Sequence, residues 1–379
     1  MGPLAGYRII EIAGIGPGPF GAMCLADMGA EVIRVGRQDG SQFHSDSPRL
    51  DFLNRGKRSI CVDLKQPEGI EVVLKLVETA DALVEGFRPG IMEKLGLGPE
   101  VCLARNPRLV FGRMTGWGQE GPLAQRAGHD INYIALSGAL HAMGRAGEKP
   151  AIPLNLVGDF GGGGLLLAYG VVCALLEAQK SGEGQVVDAA MVDGASLLMT
   201  SIFAAHQAGY WSAQRGTNML DSGAFFYEVY ETADGRHVSL GAIEPQFYAQ
   251  LMQRLGFAAD DIPPQFDPAQ WPALKARIAA RVREKTRDEW CAIFDGSDAC
   301  YAPVLAMDEI TGHPHHRARG SFPEQQGVWQ PRPAPRFSRT AAQHSPKAVP
   351  SGADTLALLQ ALGYSQTDID ALRGRGAVS

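Results

Sequence analysis

Two segments carry the residue types that proton transfer at a carbon atom needs. Gly128-His129-Asp130-Ile131-Asn132-Tyr133 supplies an imidazole, and Pro153-Leu154-Asn155-Leu156-Val157-Gly158-Asp159 supplies a carboxyl one residue ahead of the four glycines 161–164. One neutral imidazole and one protonated carboxyl can take a proton from one face of a carbon and return it on the other, provided folding sets them on opposite sides. Taken singly, each has a plain structural reading as a satisfied polar residue. The glycine run reads as close packing of the helix that follows, leaving Asp159 exposed just before that helix begins.

Other motifs bear on rival chemistries. Gly16-Pro17-Gly18-Pro19-Phe20-Gly21 fits G-x-G-x-x-G between a strand and a helix, which alone would suggest a nicotinamide dehydrogenase. Pro17 and Pro19 remove N–H donors that a pyrophosphate needs, and Arg37 stands where an acidic ribose ligand is expected. A basic residue there suits the extra ribose phosphate that NADP and coenzyme A share. Arg37, Arg55, Lys57, Arg58, Arg88 and Lys94 fall at strand ends or turns of the first lobe, where phosphates bind on α/β sheets, although such side chains are as often merely solvated. No G-x-S-x-G elbow supports a serine nucleophile. His313, His315 and His316 lack an acidic partner pattern and read as a helix start after Pro314, so no metal is expected.

These side chains need elements to position them. Residues 8–12, 31–35, 59–64, 82–85, 109–112 and 184–189 read as strands, alternating with helices at 20–29, 67–79, 90–95 and 165–180. That alternation predicts an α/β fold, a Rossmann-like large domain with a parallel sheet covered by helices. A helix is expected at 131–137. From 225 the period changes to two, and 226–231 joins 237–240 through Asp234-Gly235, a hairpin signal that opens a small α+β domain. Helices at 244–256, 267–285 and 287–295 and a closing strand at 302–305 complete it. Residues 322–350 read as an extended connector, and 355–362 with 367–372 as a helical hairpin in which Ser365 and Asp368 have capping-box spacing. The expected organisation is a large domain over 1–190 to which 325–379 returns, a helical linker over 191–224, and the small domain over 225–324.

Composition sets outer bounds. A chain of 379 residues with 45% hydrophobic content can bury a large core, and two lobes suit that length. A net charge of −6 offers no basic stripe for nucleic acid. Six cysteines without C-x-x-C spacing suit buried thiols in a reducing compartment. The opening Met-Gly-Pro-Leu-Ala-Gly has neither a charged leader nor a long apolar run, so a cytoplasmic protein without membrane insertion is expected.

Ile12-Ala13-Gly14-Ile15-Gly16-Pro17-Gly18-Pro19, Asp27-Met28-Gly29-Ala30-Glu31-Val32-Ile33-Arg34-Val35, Asn54-Arg55-Gly56-Lys57-Arg58-Ser59, Glu85-Gly86-Phe87-Arg88-Pro89-Gly90, Met114-Thr115-Gly116-Trp117-Gly118-Gln119 and Gly128-His129-Asp130-Ile131-Asn132-Tyr133 together resemble the class III CoA-transferase family. The likeness spans nearly the whole chain, and within the family it is greatest to the 2-methylacyl-CoA racemases. The resemblance implies an interlocked homodimer, with each site between the large lobe of one chain and the small lobe of the other. It implies that Asp159 matches the carboxylate with which the transferases form acyl anhydrides. His129 stands where those transferases usually carry an aromatic residue, and His129 with Asp159 matches the racemase pair. Glu244 matches a glutamate that orients the histidine from the small lobe.

The same resemblance implies an acyl-CoA thioester as substrate, in fatty acid and lipid metabolism. Its enolate would accept a hydrogen bond from the Asp130 backbone N–H. Arg37, the strand end with Val62, Leu64 and Lys65, then Gly86, Phe87, Arg88, Lys94 and Gly128 would hold coenzyme A, with no cofactor beyond it. Lys94 departs from the arginine common there, and Phe225 from proline. Two alternatives stay open: a CoA transferase working through an Asp159 acyl anhydride, and a weakly catalytic CoA-binding protein. Met114, Met143, Met191 and Met219 are candidates for a soft apolar acyl surface.

Overall fold

The computed structural model describes residues 2–37, 47–261, 263–342, 345 and 347–379. The chain divides into two compact units, one of Met1–Ser137, Leu154–Met199 and Ala318–Ser379, the other of Gly138–Pro153 and Thr200–Arg317.

The first unit contains strands β1 (Arg8–Ile12), β2 (Glu31–Gly36), β3 (Arg58–Cys61), β4 (Ala82–Glu85), β5 (Val110–Thr115) and β6 (Gln185–Ala190). They pair in the order β3-β2-β1-β4-β5-β6, every neighbour parallel. Its helices are α1 (Pro17–Asp27), α2 (Pro67–Glu78), α3 (Ile91–Lys94), α4 (Pro99–Arg105), α5 (Asp130–Leu136), α7 (Leu166–Ser181), α8 (Met191–Leu198), α14 (Thr355–Ala361) and α15 (Gln366–Gly374). The second unit holds α6 (Ala139–Ala142), α9 (Thr200–Gln207), α10 (Pro245–Leu255), α11 (Trp271–Val282), α12 (Arg287–Phe294) and α13 (Pro314–Arg319). Its sheet runs β7 (Tyr227–Glu231), β8 (His237–Gly241) and β9 (Tyr301–Pro303), both pairs antiparallel.

Parallel strands are buried on both faces, which explains their near-continuous apolar runs. Successive side chains point to opposite faces, so Ile9 and Val32 join a core with Leu25 of α1 and Leu167 and Val171 of α7. Ile10 and Ile33 join the other core, closed by Val73 and Leu76 of α2 and by Leu358 and Ile369 of α14 and α15. The C-terminal segment is stitched to β3: Asp354 accepts the Ser59 N–H at 2.9 Å, and Val378 bridges Val62. In the second unit, Phe225, Phe226, Trp271 and Trp290 fill one core under the small sheet.

Several boundaries differ from expectation, each for a physical reason. Helix α1 begins at Pro17 rather than 20, because a first helical turn needs no N–H and so accepts both Pro17 and Pro19. Gly138–Pro153 belongs to the second unit, where Arg145 holds Glu228 through contacts of 2.8 Å and Arg215 grips the His141 carbonyl at 2.8 Å. The stretch 191–224 is no single linker, since α8 packs in the first unit and α9 in the second. α11 is shorter than expected, starting at Trp271 after a turn in which Gln270 donates to Asp267. The connector 322–350 contains a short ladder, Glu324–Gln325 (β10) with Val328–Trp329 (β11), and its positions 343, 344 and 346 lie outside the described residues.

The largest departure concerns the glycine run. Leu156–Leu165 is wound as a π-helix directly ahead of α7, so Asp159 sits inside a helical segment instead of before it. Glycines are poor helix formers, and here close approach explains them. A Cβ on Gly162 would stand 2.6 Å from the Ala195 nitrogen of α8, and one on Gly164 would stand 2.4 Å from the Pro17 carbonyl of α1. Gly194 is tighter still, its Cβ position lying 1.8 Å from the Gly162 carbonyl. Gly194→Ala must push two backbones apart, and the expected loss is at least ~1–3 kcal/mol of stability, read as a lowered Tm or urea midpoint. An unchanged midpoint would show that this contact is slack.

Candidate active site

A cleft of about 620 Å³ opens over the carboxyl ends of β1, β4 and β5, lined there by Ile12, Glu85 and Thr115. From β1 the chain runs outward through β2 to β3, then returns to place β4 on the other side of β1. At such a switch point the connecting loops diverge and leave a crevice, which is where α/β sheets bind ligands.

His129 and Asp159 both line this cleft, together with Gly128, Gly86, Phe87 and Arg88. His129 is exposed at the N-cap of α5, with extended backbone, and its N–H donates to Asn132 Oδ1 at 3.0 Å. Tyr133 underpins that turn. Its hydroxyl donates to the Gly128 carbonyl, and its ring meets Trp117 edge-on at 4.8 Å.

Asp159 is half-buried. Its Oδ2 accepts from Asn155 Nδ2 at 3.1 Å, and its backbone N–H donates to Asp130 Oδ1 at 2.7 Å. The neighbouring Phe160 packs on Phe20 of α1 with ring centres 4.6 Å apart. Gly16, with φ of 66°, lets the loop lie against this carboxyl: a Cβ there would be 3.3 Å from Asp159 Oδ2. The first glycine of the G-x-G-x-x-G pattern therefore makes room for a side chain of the same chain. Burial pushes the Asp159 carboxyl above the usual carboxylate range and the Asp130 charge adds to this, while the Asn155 hydrogen bond and His129 oppose it. Tyr133 is driven to about 12, chiefly by burial and next by Asp159.

The expected phosphate contacts divide sharply. Arg88 is exposed in the cleft lining. Arg55, Lys57 and Arg58 are structural instead: Arg55 forks onto Asp27 at 2.6 and 3.0 Å, Lys57 meets Glu11 at 2.6 Å, and Arg58 meets Glu31 at 2.7 Å. Lys57 is fully enclosed and also donates to the Pro19 carbonyl at 3.0 Å, which anchors the first turn of α1. Arg37, Lys65 and Lys94 are exposed outside the cleft lining, Leu64 packs against the core, and the Val62 side chain lies within it. Asp130 is buried beneath the cleft rather than lining it. Glu244 belongs to the second unit, exposed just ahead of α10. Met114 and Met191 line the cleft, whereas Met143 and Met219 belong to the second unit.

Two participants escaped the sequence reading. Asn155 precedes Asp159 by four residues, a spacing that pairs side chains on a helix, and Asp159 was expected just ahead of the helix rather than within one. Glu85 closes β4 with 2% exposure, its Oε2 accepting the Phe87 N–H at 2.7 Å and its Oε1 the Arg113 Nε at 3.0 Å. It thereby holds the Gly86-Phe87-Arg88 wall of the cleft.

Residues 4–355 match the model of CoA-transferase family III. The chain belongs to that family. Among curated relatives it is 48% identical to the alpha-methylacyl-CoA racemase of Mus musculus, over 97% of this chain and 95% of the relative. It is likewise 48% identical to the alpha-methylacyl-CoA racemase of Homo sapiens, with the same coverage. A crystal structure of a CAIB/BAIF family protein from Brucella suis superposes with a TM-score of 0.83 at 27% identity, covering 95% of this chain and 99% of that one.

Burial pushes Glu85 up to about 7 from an ordinary 4.5. An acid whose pKa is raised by folding favours the protonated native state, so its contribution to stability is complete below about 4.5 and is lost as pH rises through about 7. Glu85→Gln lacks this loss. Its stability relative to wild type should rise across that window, by up to about 1.4 kcal/mol per pH unit, in urea denaturation at a series of pH values. A difference that stays flat with pH would overturn the assignment.

Proposed function

We propose that this protein inverts the α-carbon of 2-methyl-branched acyl-CoA thioesters by two-base proton transfer. The observation that carries the proposal is that His129 and Asp159 share one cleft, with the Asp159 carboxyl held above its usual range. Two relatives at 48% identity bear the name alpha-methylacyl-CoA racemase, which supports the same reading.

The chemistry follows from the two groups. With the substrate in one configuration, neutral imidazole removes the α-proton and its electron pair moves into the thioester carbonyl, giving an enolate. The protonated Asp159 then delivers its proton to the opposite face. The other configuration uses the pair in reverse. Neither direction runs unless one base is empty while the other is loaded, so a carboxyl with a raised pKa is what the reaction needs. The Asp130 backbone N–H is assigned to the enolate oxygen, and Glu244 of a second copy of the chain to orienting the His129 ring. Gly86, Phe87, Arg88 and Gly128 are assigned to coenzyme A, with Arg37, Lys65 and Lys94 reaching it from outside the cleft. Coenzyme A enters as part of the substrate, and no further cofactor is invoked. A cytoplasmic, non-inserted protein acting on fatty acyl groups fits this assignment.

A homodimer is part of the proposal. The segment Leu156–Ser181 is long and apolar enough to cross a membrane by length and composition, and less than half of it is buried. Leu165, Tyr169 and Leu176 are exposed along it, and Leu197 and Leu198 at the end of α8. Such a patch on a charged α/β unit calls for a protein cover, and a second copy supplies one without a membrane. Leu165→Glu with Tyr169→Glu should give a monomer by light scattering and remove activity. A dimer that survives both charges would reject this interface.

The reaction is tested with a single-enantiomer 2-methylacyl-CoA in D2O. Racemisation with deuterium entering at the α-carbon, and no acceptor acid present, is the expected result. CoA transfer to an added carboxylic acid without exchange would instead establish the transferase reading, for which Asp159 alone suffices. His129→Ala and Asp159→Ala should each lower exchange by roughly 10²–10⁴. Deficits under about tenfold in both would sink the two-base mechanism.

A further inference from the structure

Asp130 makes a contact that the proposed reaction does not require of it. The residue is 5% exposed, and its Oδ1 accepts the Asp159 backbone N–H at 2.7 Å. Its Oδ2 is buried without a hydrogen-bond partner among the described residues. A buried carboxylate normally satisfies both oxygens, because each unpaired one forfeits its hydration without return. The approach is also built into the backbone: a Cβ on Gly158 would stand 2.5 Å from Asp130 Oδ1, so no side chain at 158 would permit the contact.

We propose that the Asp130 side chain is a positioning residue, which ties the Asp159 peptide to the start of α5 and so fixes the carboxyl base relative to His129. This rests on the two-base reading of the cleft. The tie shortens the chain of parts that sets the base-to-base distance. His129 and Asp130 are adjacent, and Asp159 hangs from Asp130 by one hydrogen bond, so the pair does not depend on the chain path across the sequence separation of 29 from Asp130 to Asp159. The unshared oxygen has a second effect. The Asp130 charge beside Asp159 favours its protonated form, the state in which it returns a proton. The titratable groups that act on Asp159 are Asp130, His129 and Tyr133 from the start of α5, while the loop ahead of α1 lies against it through Gly16, which does not titrate.

Asp130→Ala and Asp130→Asn separate the two effects. Alanine removes the tie and keeps the backbone N–H. Asparagine keeps an oxygen acceptor and removes the charge. In the D2O exchange assay, Asp130→Ala should lose roughly 10² in kcat, as expected for a misplaced base, with KM changed by less than about threefold. Asp130→Asn should recover most of that loss, with the pH limb that belongs to Asp159 moved to lower pH. Amide hydrogen exchange of the folded, full-length protein reads the tie directly: the Asp159 N–H should lose protection in Asp130→Ala and keep it in Asp130→Asn.

An Asp159 amide as protected in Asp130→Ala as in wild type would overturn the tie. So would equal kcat losses in the two variants with no movement of the limb. If alanine at 130 prevents folding, Asp130→Asn decides alone, and an unmoved limb rejects the role of the charge. Wild-type protein that exchanges no α-proton would reject the racemase reading instead, leaving the tie to be judged by Asp159 amide protection.

Discussion

The site depends on one constraint, the contact of backbone with backbone between the π-helical segment Leu156–Leu165 and the helices on either side of it. Gly162 meets Gly194 of α8, and Gly164 meets the Pro17 carbonyl of α1, at separations no side chain could share. Dense packing of this kind removes slack. It carries Asp159 to within reach of Gly16 and of the start of α5, so three sequence-distant pieces converge on one carboxyl. The widened π-helical turn belongs to the same solution, since such turns recur where a helix must offer a functional side chain.

Once placed, Asp159 is governed by opposed electrostatic effects. Burial and the Asp130 charge favour its neutral form, whereas the Asn155 hydrogen bond and His129 favour the ion. The proposed reaction needs this carboxyl in both forms, one for each direction, and the net upward shift keeps the protonated form accessible. His129, by contrast, is exposed at the N-cap of α5, near bulk solvent. Two bases in unequal surroundings can approach each other in proton affinity, because desolvation raises the weaker base, the carboxylate, toward the imidazole range.

Much of the scaffold is legible in the sequence, for reasons that can be named. The apolar runs at 8–12, 31–35, 82–85 and 109–112 are fully buried parallel strands, and their spacing leaves room only for crossover helices. His129 and Asp159, the proposed pair of bases, were singled out through resemblance to a family and through residue type, and both line one cleft. What stayed hidden was partnership. Arg55, Lys57 and Arg58 look like phosphate ligands until Asp27, Glu11 and Glu31 are seen against them. The glycine run was expected ahead of the helix rather than inside it because helix propensity is a local quantity, and here tertiary packing overrides it. Asn155 was lost with it, since a pairing across four residues means nothing without a helix beneath.

The buried pair of Lys57 with Glu11 also explains how a Gly-Pro-Gly-Pro sequence can serve as a rigid wall. Lys57 donates to the Pro19 carbonyl while meeting Glu11 at 2.6 Å, so the first turn of α1 is fixed to β1 from below. A buried pair of this kind contributes little net stability, since desolvation offsets the attraction. Its effect is on geometry: it admits one arrangement of α1 over the sheet and penalises the rest by leaving a charge unpaired. Glu85 does the same for the opposite wall, joining the Phe87 N–H to Arg113. The walls of the cleft are thus held by charged groups paired within the chain, and at the Gly-Pro-Gly-Pro rim it is the Asp159 carboxyl of the chain itself that lies against Gly16.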